Sequence, residues 1–533
     1  MYATCGAASR RVALLLTLVL ALSAAAKDKK TIASPPSLPE RLEKILADPE
    51  VSRGFWGIEV ISLKKNQLLY SLNGEKLFTP ASNTKLFTTA AVLALIGSDY
   101  KFRTTIETNG QVDRHGRLSG DLYVVGRGDP NLSGRTLPYN LRTERKQPPM
   151  WVLEQLADQL VQKGVKYVDG DVVGDDSYFA FERYGEGWAQ DDMVWEWGAP
   201  VSALTLNDNV VFVSILPADL PGDKAFVTIN PASNYYRVDN RIITTPASTG
   251  PRRVYITREP GANLLTLWGN IPADDPGANE ALAIEDPADF TAQVFREMLE
   301  RRGIVVLGRS RTRHTELASL STFTVTTTAP AGGGEDVRRA PQAAANVVLA
   351  NYDSQPVLQD LRVINKVSQN LHAELMLRLL GKEKGTAGTI EAGLEVMRGF
   401  LAQGDIRSEE YVFFDGSGLS RQNLVTPHAV VKLLRYADMQ PWGGKLEDTL
   451  PVAGVDGSLA DRFRGTNAQG RVQAKTGSLG HVNSLAGYLT TLSGDRLAFS
   501  IMSNNHNLPN KRALETIDEL VEVMVDDRPK KPK

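Results

Sequence analysis

Hydrophobic and polar positions alternate along residues 57–63 and again along residues 68–72, with a polar turn between the two segments. A period of two over such short segments predicts a β-hairpin. The alternation ends before residues 85–96, where Ala, Leu and Val dominate and Gly97 follows. That pattern predicts a buried helix closed by a glycine cap.

Short apolar runs bounded by Gly, Asp and Pro fill the chain from about residue 100. They predict a β-rich block with one helix at residues 150–163. The predicted strands lie at residues 120–126, 170–174, 209–213 and 262–267. A Gly- and Pro-rich stretch at residues 329–335 predicts a linker after this block.

Helical patterns return after residue 346, and three strand-like runs follow at residues 471–474, 484–492 and 497–502. A final helix, residues 512–525, has one apolar and one acidic face. We expect this helix to pack on protein, because its acidic face does not suit an anionic membrane.

The simplest topology is one α/β (α+β) domain split by a large insertion. The two halves of this domain are residues 27–99 and 346–527, and the β-rich insertion is residues 100–345. Residues 528–533 form a basic tail.

The N-terminus carries Arg10 and Arg11, an apolar run at residues 12–22 and four small residues at 23–26. This order predicts a secretory signal peptide, residues 1–26. The alternative is a retained anchor, but the run is shorter than the roughly 20 apolar residues that span a bilayer. We therefore expect an exported protein with no stable membrane span after cleavage. Its compartment is the periplasm or, as the alternative, the cell exterior or cell wall.

Composition and charge exclude several kinds of protein. The 533 residues are 42% hydrophobic with a net charge of −2, so the chain is globular and lacks the basic field that nucleic acid requires. Its one cysteine, Cys5, lies in the predicted signal peptide, which leaves the exported chain without disulfides or a thiol nucleophile. The six histidines lack the spacing of metal ligands, and we expect neither a metal nor another cofactor.

Ser82 and Lys85 form an S-x-x-K pattern where the apolar helix begins. Residues i and i+3 share a helix face, so the lysine amine can reach the serine hydroxyl. Burial lowers the pKa of a lysine, which lets it act as the base that a serine nucleophile needs. Taken alone, Ser82 fits a helix N-cap better. Ser62 and Lys65 have the same spacing, but they lie on the predicted hairpin with no apolar helix to bury the lysine.

Two further triplets change the interpretation of Ser82. Lys475-Thr476-Gly477 occurs once, at the end of a predicted strand. There the strand edge can pair with a peptide, and the cation and hydroxyl can bind a terminal carboxylate. Ser368-Gln369-Asn370 stands just before a helical stretch. The order S-x-x-K, S-x-N, K-T-G is typical of serine acyl-transfer enzymes.

With these triplets the chain resembles the D-alanyl-D-alanine carboxypeptidase/endopeptidase family. These are the class C low-molecular-mass penicillin-binding proteins, the penicillin-binding protein 4-like group or peptidase family S13. The matching segments are residues 79–85, 126–130, 198–204, 364–370, 415–421 and 454–459. The resemblance implies a serine β-lactamase/transpeptidase-like domain whose insertion consists of two nested β-rich domains.

The resemblance also implies a substrate and a mechanism. Ser82 would attack the D-Ala-D-Ala carbonyl of peptidoglycan stem peptides, and Lys85 would take the serine proton. Ser368 and Asn370 would relay that proton and position the substrate amide. Water would then hydrolyse the acyl-enzyme, and β-lactams would act as covalent inhibitors.

Substrate binding is implied in the same way. Lys475 and Thr476 would hold the terminal carboxylate, and Gly477 would let the strand come close. The backbone N–H groups of Ser82 and Ser478 would form the oxyanion hole.

A side-chain pocket for the free end of diaminopimelate is also implied by the resemblance. Its residues would be Asp175, or alternatively Asp176, together with Arg421. Relatives often carry a long side chain three residues beyond the K-T-G glycine, where this sequence has Gly480.

Two other functions are alternatives at this stage. A serine β-lactamase on the same fold needs a group that speeds deacylation, and many such enzymes have tyrosine at the position of Ser368. A non-catalytic peptidoglycan-binding scaffold would not require all three triplets, which this chain retains.

Overall fold

The computed structural model describes residues 36–137, 145–320 and 346–527. The predicted signal peptide, linker and basic tail lie outside these residues. The first described elements are helix α1 (Leu38–Leu46), strands β1 (Phe55–Ser62) and β2 (Gln67–Leu72), and helix α2 (Thr84–Leu95). β1 and β2 pair antiparallel, which confirms the predicted hairpin. Gly97, with φ of 92°, closes α2 as predicted.

A series of short strands with three helices among them follows α2. They are β3 (Arg103–Thr108), β4 (Arg117–Leu118), β5 (Leu122–Val125), α3 (Trp151–Gln162), β6 (Tyr167–Val168), β7 (Val172–Ala180), β8 (Val210–Leu216), β9 (Phe226–Asn230), β10 (Arg237–Thr245), β11 (Arg253–Thr257), β12 (Leu264–Pro272), β13 (Ala278–Ala283), α4 (Pro287–Arg301), β14 (Val305–Val306), β15 (Ser310–Thr315) and α5 (Leu317–Leu320). The four predicted strands and the predicted helix correspond to β5, β7, β8, β12 and α3 and are confirmed.

Helices dominate the next part of the chain, and three long strands and a helix end it. The elements are β16 (Val347–Asp353), α6 (Leu358–Lys366), α7 (Asn370–Lys384), α8 (Ile390–Gln403), β17 (Tyr411–Val412), β18 (Leu424–Val425), α9 (Pro427–Asp438), α10 (Gly443–Thr449), β19 (Val472–Leu479), β20 (Val482–Thr490), β21 (Arg496–Asn504) and α11 (Asn510–Val525). Across the described ranges, we find no helix whose length and apolar character would let it cross a bilayer.

One five-stranded antiparallel sheet joins the two ends of the chain, in the order β19-β20-β21-β1-β2. Its central strands are buried on both faces, because helices cover each side. Ala486 and Tyr488 of β20 face a core shared with α2, α7 and α9. Leu485 and Leu489 face the other core, which α1 and α11 complete. The near-continuous apolar runs of β20 and β21 follow from this double burial.

The β-rich insertion contains a five-stranded sheet in the order β15-β7-β5-β3-β16. Between β7 and its partner β15, the chain forms two three-stranded sheets, β13-β8-β9 and β10-β12-β11. This second unit is nested in the first, as the resemblance implied. β16 pairs with β3, so the sheet of the insertion extends beyond residue 346 to Asp353. The domain boundaries themselves stay predictions.

Candidate active site

Ser82 and Lys85 lie where α2 begins. Residues Ala81–Asn83 form one turn of 3₁₀ helix that runs directly into α2. This start leaves the Ser82 side chain partly exposed while Lys85 is fully buried. Lys85 Nζ donates a hydrogen bond of 2.8 Å to Ser82 Oγ. The apolar helix thus presents the hydroxyl to solvent and holds the amine beneath it.

The hydrogen-bond partners of Lys85 in the described chain are neutral oxygens. Besides the serine hydroxyl, Nζ donates to Asn370 Oδ1 and to Ser417 O, both at 2.6 Å. Burial lowers the pKa of Lys85 from 10.5 to about 7, although the carboxylates of Asp415 and Glu374 oppose that shift. A lysine with a pKa near neutrality is available in the unprotonated form that a general base requires.

Two buried carboxylates hold the turn that presents Ser417 O to the lysine. Glu374 Oε1, on α7, accepts two backbone N–H hydrogen bonds at 2.9 and 2.8 Å from residues 416 and 417. Asp415 accepts two more, at 2.8 and 2.6 Å, from residues 418 and 420. Buried N–H groups need such acceptors. Residues 415–421 are one of the segments that carry the resemblance, but the sequence did not predict that Asp415 and Glu374 shape the turn beside Lys85.

Ser368 and Asn370 of the S-x-N triplet stand at the start of α7. Ser368 has φ of 65°, and its Oγ accepts a hydrogen bond of 2.9 Å from Lys475 Nζ. Asn370 connects two parts of the protein, because its Oδ1 accepts from Lys85 while its Nδ2 donates to Trp197 O at 2.8 Å. Trp197 belongs to the insertion, which therefore forms one wall of the site.

The prediction that a strand ends before Lys475 is wrong, since β19 continues through the K-T-G triplet to Leu479. Glycine is tolerated here because no side chain would fit. A Cβ at Gly477 would lie 2.2 Å from Ser484 Oγ and 3.0 Å from the backbone N of Ser82. β19 is the edge strand of the central sheet, and the missing side chain lets that edge approach the serine closely.

Lys475 is fully buried, and its Nζ also donates to Thr476 O at 2.7 Å. Burial lowers the pKa of Lys475, and the charge of the other site lysine adds to that shift. Thr476 Oγ1 lies 2.8 Å from Ser458 Oγ, a hydroxyl that the three triplets do not include. Ser478, next along the strand, accepts a hydrogen bond of 3.0 Å from Asn483 Nδ2.

The two residues expected to bind the free end of diaminopimelate have different partners. Asp175 is fully buried on β7, where Oδ1 accepts from the Ser177 hydroxyl at 2.6 Å and Oδ2 lies 2.8 Å from Arg313 Nη2. Arg421 lies beside the end of β19, with Nη1 3.5 Å from Gly480 O. Within the described ranges, no hydrogen bond or ion pair joins Asp175 to Arg421.

The site consists of a serine hydroxyl, which is a candidate nucleophile, and two buried lysine amines. Across the described ranges, no three His, Cys, Asp or Glu side chains converge in a way that could hold a metal ion. A partly exposed serine beside a buried lysine, at the edge of an antiparallel sheet, defines an active-site serine hydrolase of the acyl-transfer class.

Comparison with known proteins identifies the family. The model of the D-Ala-D-Ala carboxypeptidase 3 (S13) family matches residues 38–331 and 332–525. The chain therefore belongs to this family, and the predicted resemblance is confirmed.

Two relatives illustrate the match. The chain is 34% identical over 489 residues to a D-alanyl-D-alanine carboxypeptidase of Actinomadura sp. (strain R39), covering 90% of this chain and 83% of the relative. It is 25% identical over 449 residues to the D-alanyl-D-alanine carboxypeptidase DacB of Haemophilus influenzae, covering 84% of each. The chain is thus similar over most of its length to D-alanyl-D-alanine carboxypeptidases.

The fold is similar to that of penicillin binding protein 4 from Haemophilus influenzae. The TM-score is 0.75 at 23% identity, over 90% of this chain and 98% of that one. The same protein complexed with a β-lactam gives a TM-score of 0.68 at 23% identity, over 90% and 97%. At this identity the likeness concerns the fold alone, and it confirms the predicted fold class.

Proposed function

We propose that this protein is a serine D-Ala-D-Ala carboxypeptidase and DD-endopeptidase that acts on peptidoglycan stem peptides and is inhibited by penicillin. One observation carries the proposal. Lys85 Nζ lies 2.8 Å from Ser82 Oγ, and the lysine side chain is fully buried. This burial lowers the pKa of Lys85 to about 7. The carboxypeptidase names of the relatives and the β-lactam bound to a structural neighbour support it.

Acylation begins with the unprotonated amine of Lys85. Its nitrogen takes the proton of the Ser82 hydroxyl as Oγ attacks the carbonyl carbon of the penultimate D-Ala. The carbonyl oxygen then carries a negative charge, which the backbone N–H groups of Ser82 and Ser478 stabilise. The close approach of Gly477 to the nitrogen of Ser82 supports an oxyanion hole between β19 and the serine turn.

Collapse of this intermediate breaks the C–N bond, and the leaving amine needs a proton. Lys85 is the donor, and the hydroxyl of Ser368 relays the proton. The hydrogen bond from Lys475 to Ser368 orients that hydroxyl. Asn370 holds the substrate amide beside Lys85. Water then attacks the acyl-enzyme with Lys85 again as base, which releases the peptide and restores Ser82.

The terminal carboxylate of the substrate binds to Lys475 and Thr476. Lys475 is buried without a carboxylate partner among the described residues, and this burial lowers its pKa. A substrate carboxylate supplies the missing counter-charge and favours the protonated form of the amine. Ser458, 2.8 Å from the threonine hydroxyl, adds a third polar group to this subsite.

The stem-peptide side chain would extend toward Arg421, which stands beside Gly480 at the open end of β19. A free carboxylate there suits a guanidinium. Asp175 can bind the amine of the same side chain only by exchanging Arg313, its present partner. The proposed side-chain pocket contains both residues, and Arg421 is the one beside the end of β19.

The compartment in which such a substrate occurs is outside the cytoplasm. We propose export by the signal peptide at residues 1–26, to the periplasm or, alternatively, to the cell wall. Detection of the processed chain in fractionated cells tests this part.

Incubation with a fluorescent penicillin followed by peptide mass spectrometry tests the proposal. We expect one lasting adduct on Ser82, lost in Ser82→Ala and retained in Ser62→Ala, the matched control. Release of D-Ala from pentapeptide and cleavage of cross-linked dimers then measure the two activities separately.

The alternatives give other outcomes in this experiment. Rapid hydrolysis of penicillin without a lasting adduct would indicate a β-lactamase. A non-catalytic scaffold would give two results together. The parent protein would never form a penicillin adduct, and Ser82→Ala would bind cell-wall peptide as the parent does.

A further inference from the structure

A buried carboxylate of the insertion contacts the S-x-N loop on both sides of Asn370. Asp208 lies just before β8, with 1% of its side chain exposed. Its Oδ2 accepts a hydrogen bond of 3.3 Å from Nε2 of Gln369, the middle residue of the triplet. Its Oδ1 lies 3.0 Å from Nε2 of His372, in the first turn of α7. None of the proton transfers or substrate contacts proposed for the three triplets involves the Asp208 carboxylate.

Two arginines of the insertion keep Asp208 ionised. Arg135 binds both carboxylate oxygens, at 2.9 and 2.6 Å, and Arg145 donates to Oδ2. Burial alone would raise the pKa of Asp208, but Arg135, Arg145 and His372 hold it well below its usual range. Burial also lowers the pKa of His372, so the imidazole is neutral and its Nε2–H donates to the carboxylate.

The backbone on both sides of this contact is strained. Asn207, Asp208 and Asn209 have φ of 51°, 56° and 53°, three consecutive non-glycine residues in the left-handed region. The side chain of Asn209 fixes this turn by accepting the Leu206 N–H at 3.0 Å and donating to a backbone carbonyl at 2.8 Å. Ser368, across the contact, has φ of 65°. Such conformations persist only where surrounding contacts determine them.

Gln369 transmits the constraint to the catalytic residues. Its Oε1 accepts the Leu371 N–H at 2.8 Å and so caps α7, while its Nε2 donates to Asp208. The loop therefore cannot rotate without losing either the helix cap or the contact with the insertion. Ser368 and Asn370 flank this anchored residue directly.

We propose that Asp208 is a positioning residue for the acyl-transfer reaction, which fixes Ser368 and Asn370 against the two site lysines through Gln369 and His372. This inference rests on the proposed function. It assigns the insertion a part in catalysis besides any part in substrate binding. Misplacement of a catalytic group by about 1 Å can cost a hundredfold in rate.

The test compares Asp208→Asn with Glu285→Gln. Glu285 is a matched control, because it is a nearly buried acid of the insertion that pairs with Arg183 and Arg258 and does not contact the S-x-N loop. We expect Asp208→Asn to lower kcat for D-Ala release and the rate of penicillin adduct formation about ten- to a hundredfold. Glu285→Gln should change both less than about threefold, although both variants lower the melting temperature.

Gln369→Leu is the second variant, and it leaves both arginines paired with Asp208. It should reproduce the fall in kcat, which keeps the proposal testable if Asp208→Asn does not fold. A fall in KM alone, or a kcat within threefold of the parent in both folded variants, would overturn the proposal.

A pH profile separates positioning from general destabilisation. If Asn370 is held less firmly, water can reach Lys85, and the pKa of the lysine rises because its burial is reduced. The acid limb of the kcat profile should therefore move to higher pH in Asp208→Asn and Gln369→Leu. The other charged groups that face Lys85 are Asp415, Glu374 and Lys475, and these substitutions leave them in place. Glu285→Gln should keep the parent midpoint, and an equal shift in that control would refute the inference. A parent without D-Ala release or adduct would instead refute the proposed function.

Discussion

Two serine–lysine pairs share the same spacing, but their surroundings differ. Ser82–Lys85 is the helix pair, and Ser62–Lys65 is the hairpin pair. In the hairpin pair, Ser62 Oγ donates to Asp495 at 2.9 Å and Lys65 Nζ donates to the same carboxylate at 2.6 Å. The Lys65 side chain is 58% exposed. In the helix pair, Lys85 is fully buried and donates directly to the serine hydroxyl.

The difference shows which surroundings suit a serine and a lysine to the proposed roles of nucleophile and base. A carboxylate in direct contact stabilises the charged form of a lysine, and Asp495 binds both Lys65 Nζ and Ser62 Oγ. The carboxylates of Asp415 and Glu374 do not contact Lys85 directly. They accept hydrogen bonds from backbone N–H groups of the turn that carries Ser417. Their charge moderates the effect of burial without a direct ion pair, and the pKa of Lys85 settles near 7.

The largest expected effect is from removal of the proposed nucleophile. Ser82→Ala should lower D-Ala release at least about a thousandfold and abolish the penicillin adduct, because the hydroxyl proposed to form the ester is gone. Ser62→Ala should release D-Ala at the parent rate. Steady-state kinetics and intact-mass spectra measure both, and an adduct on Ser82→Ala protein would show that the nucleophile lies elsewhere.

Removal of the proposed base, Lys85, has the next largest expected effect. Lys85→Met keeps the length of the side chain but cannot take the serine proton, so acylation by penicillin should slow about a hundred- to ten-thousandfold. Lys65→Met should acylate like the parent. Stopped-flow measurement of adduct formation gives the rates, and equal slowing in the two variants would mean that spacing alone matters.

The fold and much of the site could be predicted because their signals are local. The hairpin, the apolar helix behind Ser82 and the triplets are each contained in a few consecutive residues. Two features could not be predicted, since both arise from the packing of distant segments. They are the hydrogen bond from Lys85 to the carbonyl of Ser417 and the support of that turn by the carboxylate of Glu374. Asp208 is a stronger example, because it is 161 positions before Gln369, a residue of the loop that it contacts.

The K-T-G strand shows a different limit of sequence reasoning. Glycine disfavours strands, so the pattern indicates an end before Lys475. The strand continues because Gly477 meets the serine turn too closely for any side chain, a long-range cause that no local rule contains. Strand β16 is similar, since only its pairing with β3 assigns it to the insertion.

Gly477→Ala tests that close approach. The new Cβ would lie 2.8 Å from Pro80 O and 3.0 Å from the Ser82 nitrogen, so β19 must move away from the serine. We expect kcat/KM to fall about a hundredfold. Gly399→Ala is the control, because a Cβ there meets nothing within 4 Å on an exposed face of α8. A Gly477→Ala enzyme as active as this control would exclude a tight oxyanion hole.

Asn370→Asp makes the helix pair resemble the hairpin pair. In the parent, kcat/KM should rise about tenfold per pH unit up to about pH 7 and then level, because protonated Lys85 cannot accept the serine proton. A carboxylate 2.6 Å from Nζ stabilises the ammonium, so the midpoint should move to higher pH and activity at pH 7 should fall. Asn370→Ala also loses the contact with Trp197 but adds no charge. A midpoint that rises equally in both variants would contradict this electrostatic explanation.

The smallest effect should follow Lys65→Ala. Its ion pair with Asp495 is mostly exposed on the lysine side, and exposed pairs contribute about 0–1 kcal/mol to the free energy of unfolding. Ser62 still donates to Asp495 after the change, so the carboxylate keeps a partner. Urea unfolding should detect a loss within that range, and kcat/KM should stay within about twofold of the parent, since no described contact links this pair to the site. A larger loss of activity would mean that the strand ends of β1 and β21, where this pair lies, transmit strain through the central sheet to β19. The two serine–lysine pairs would then not be independent of each other.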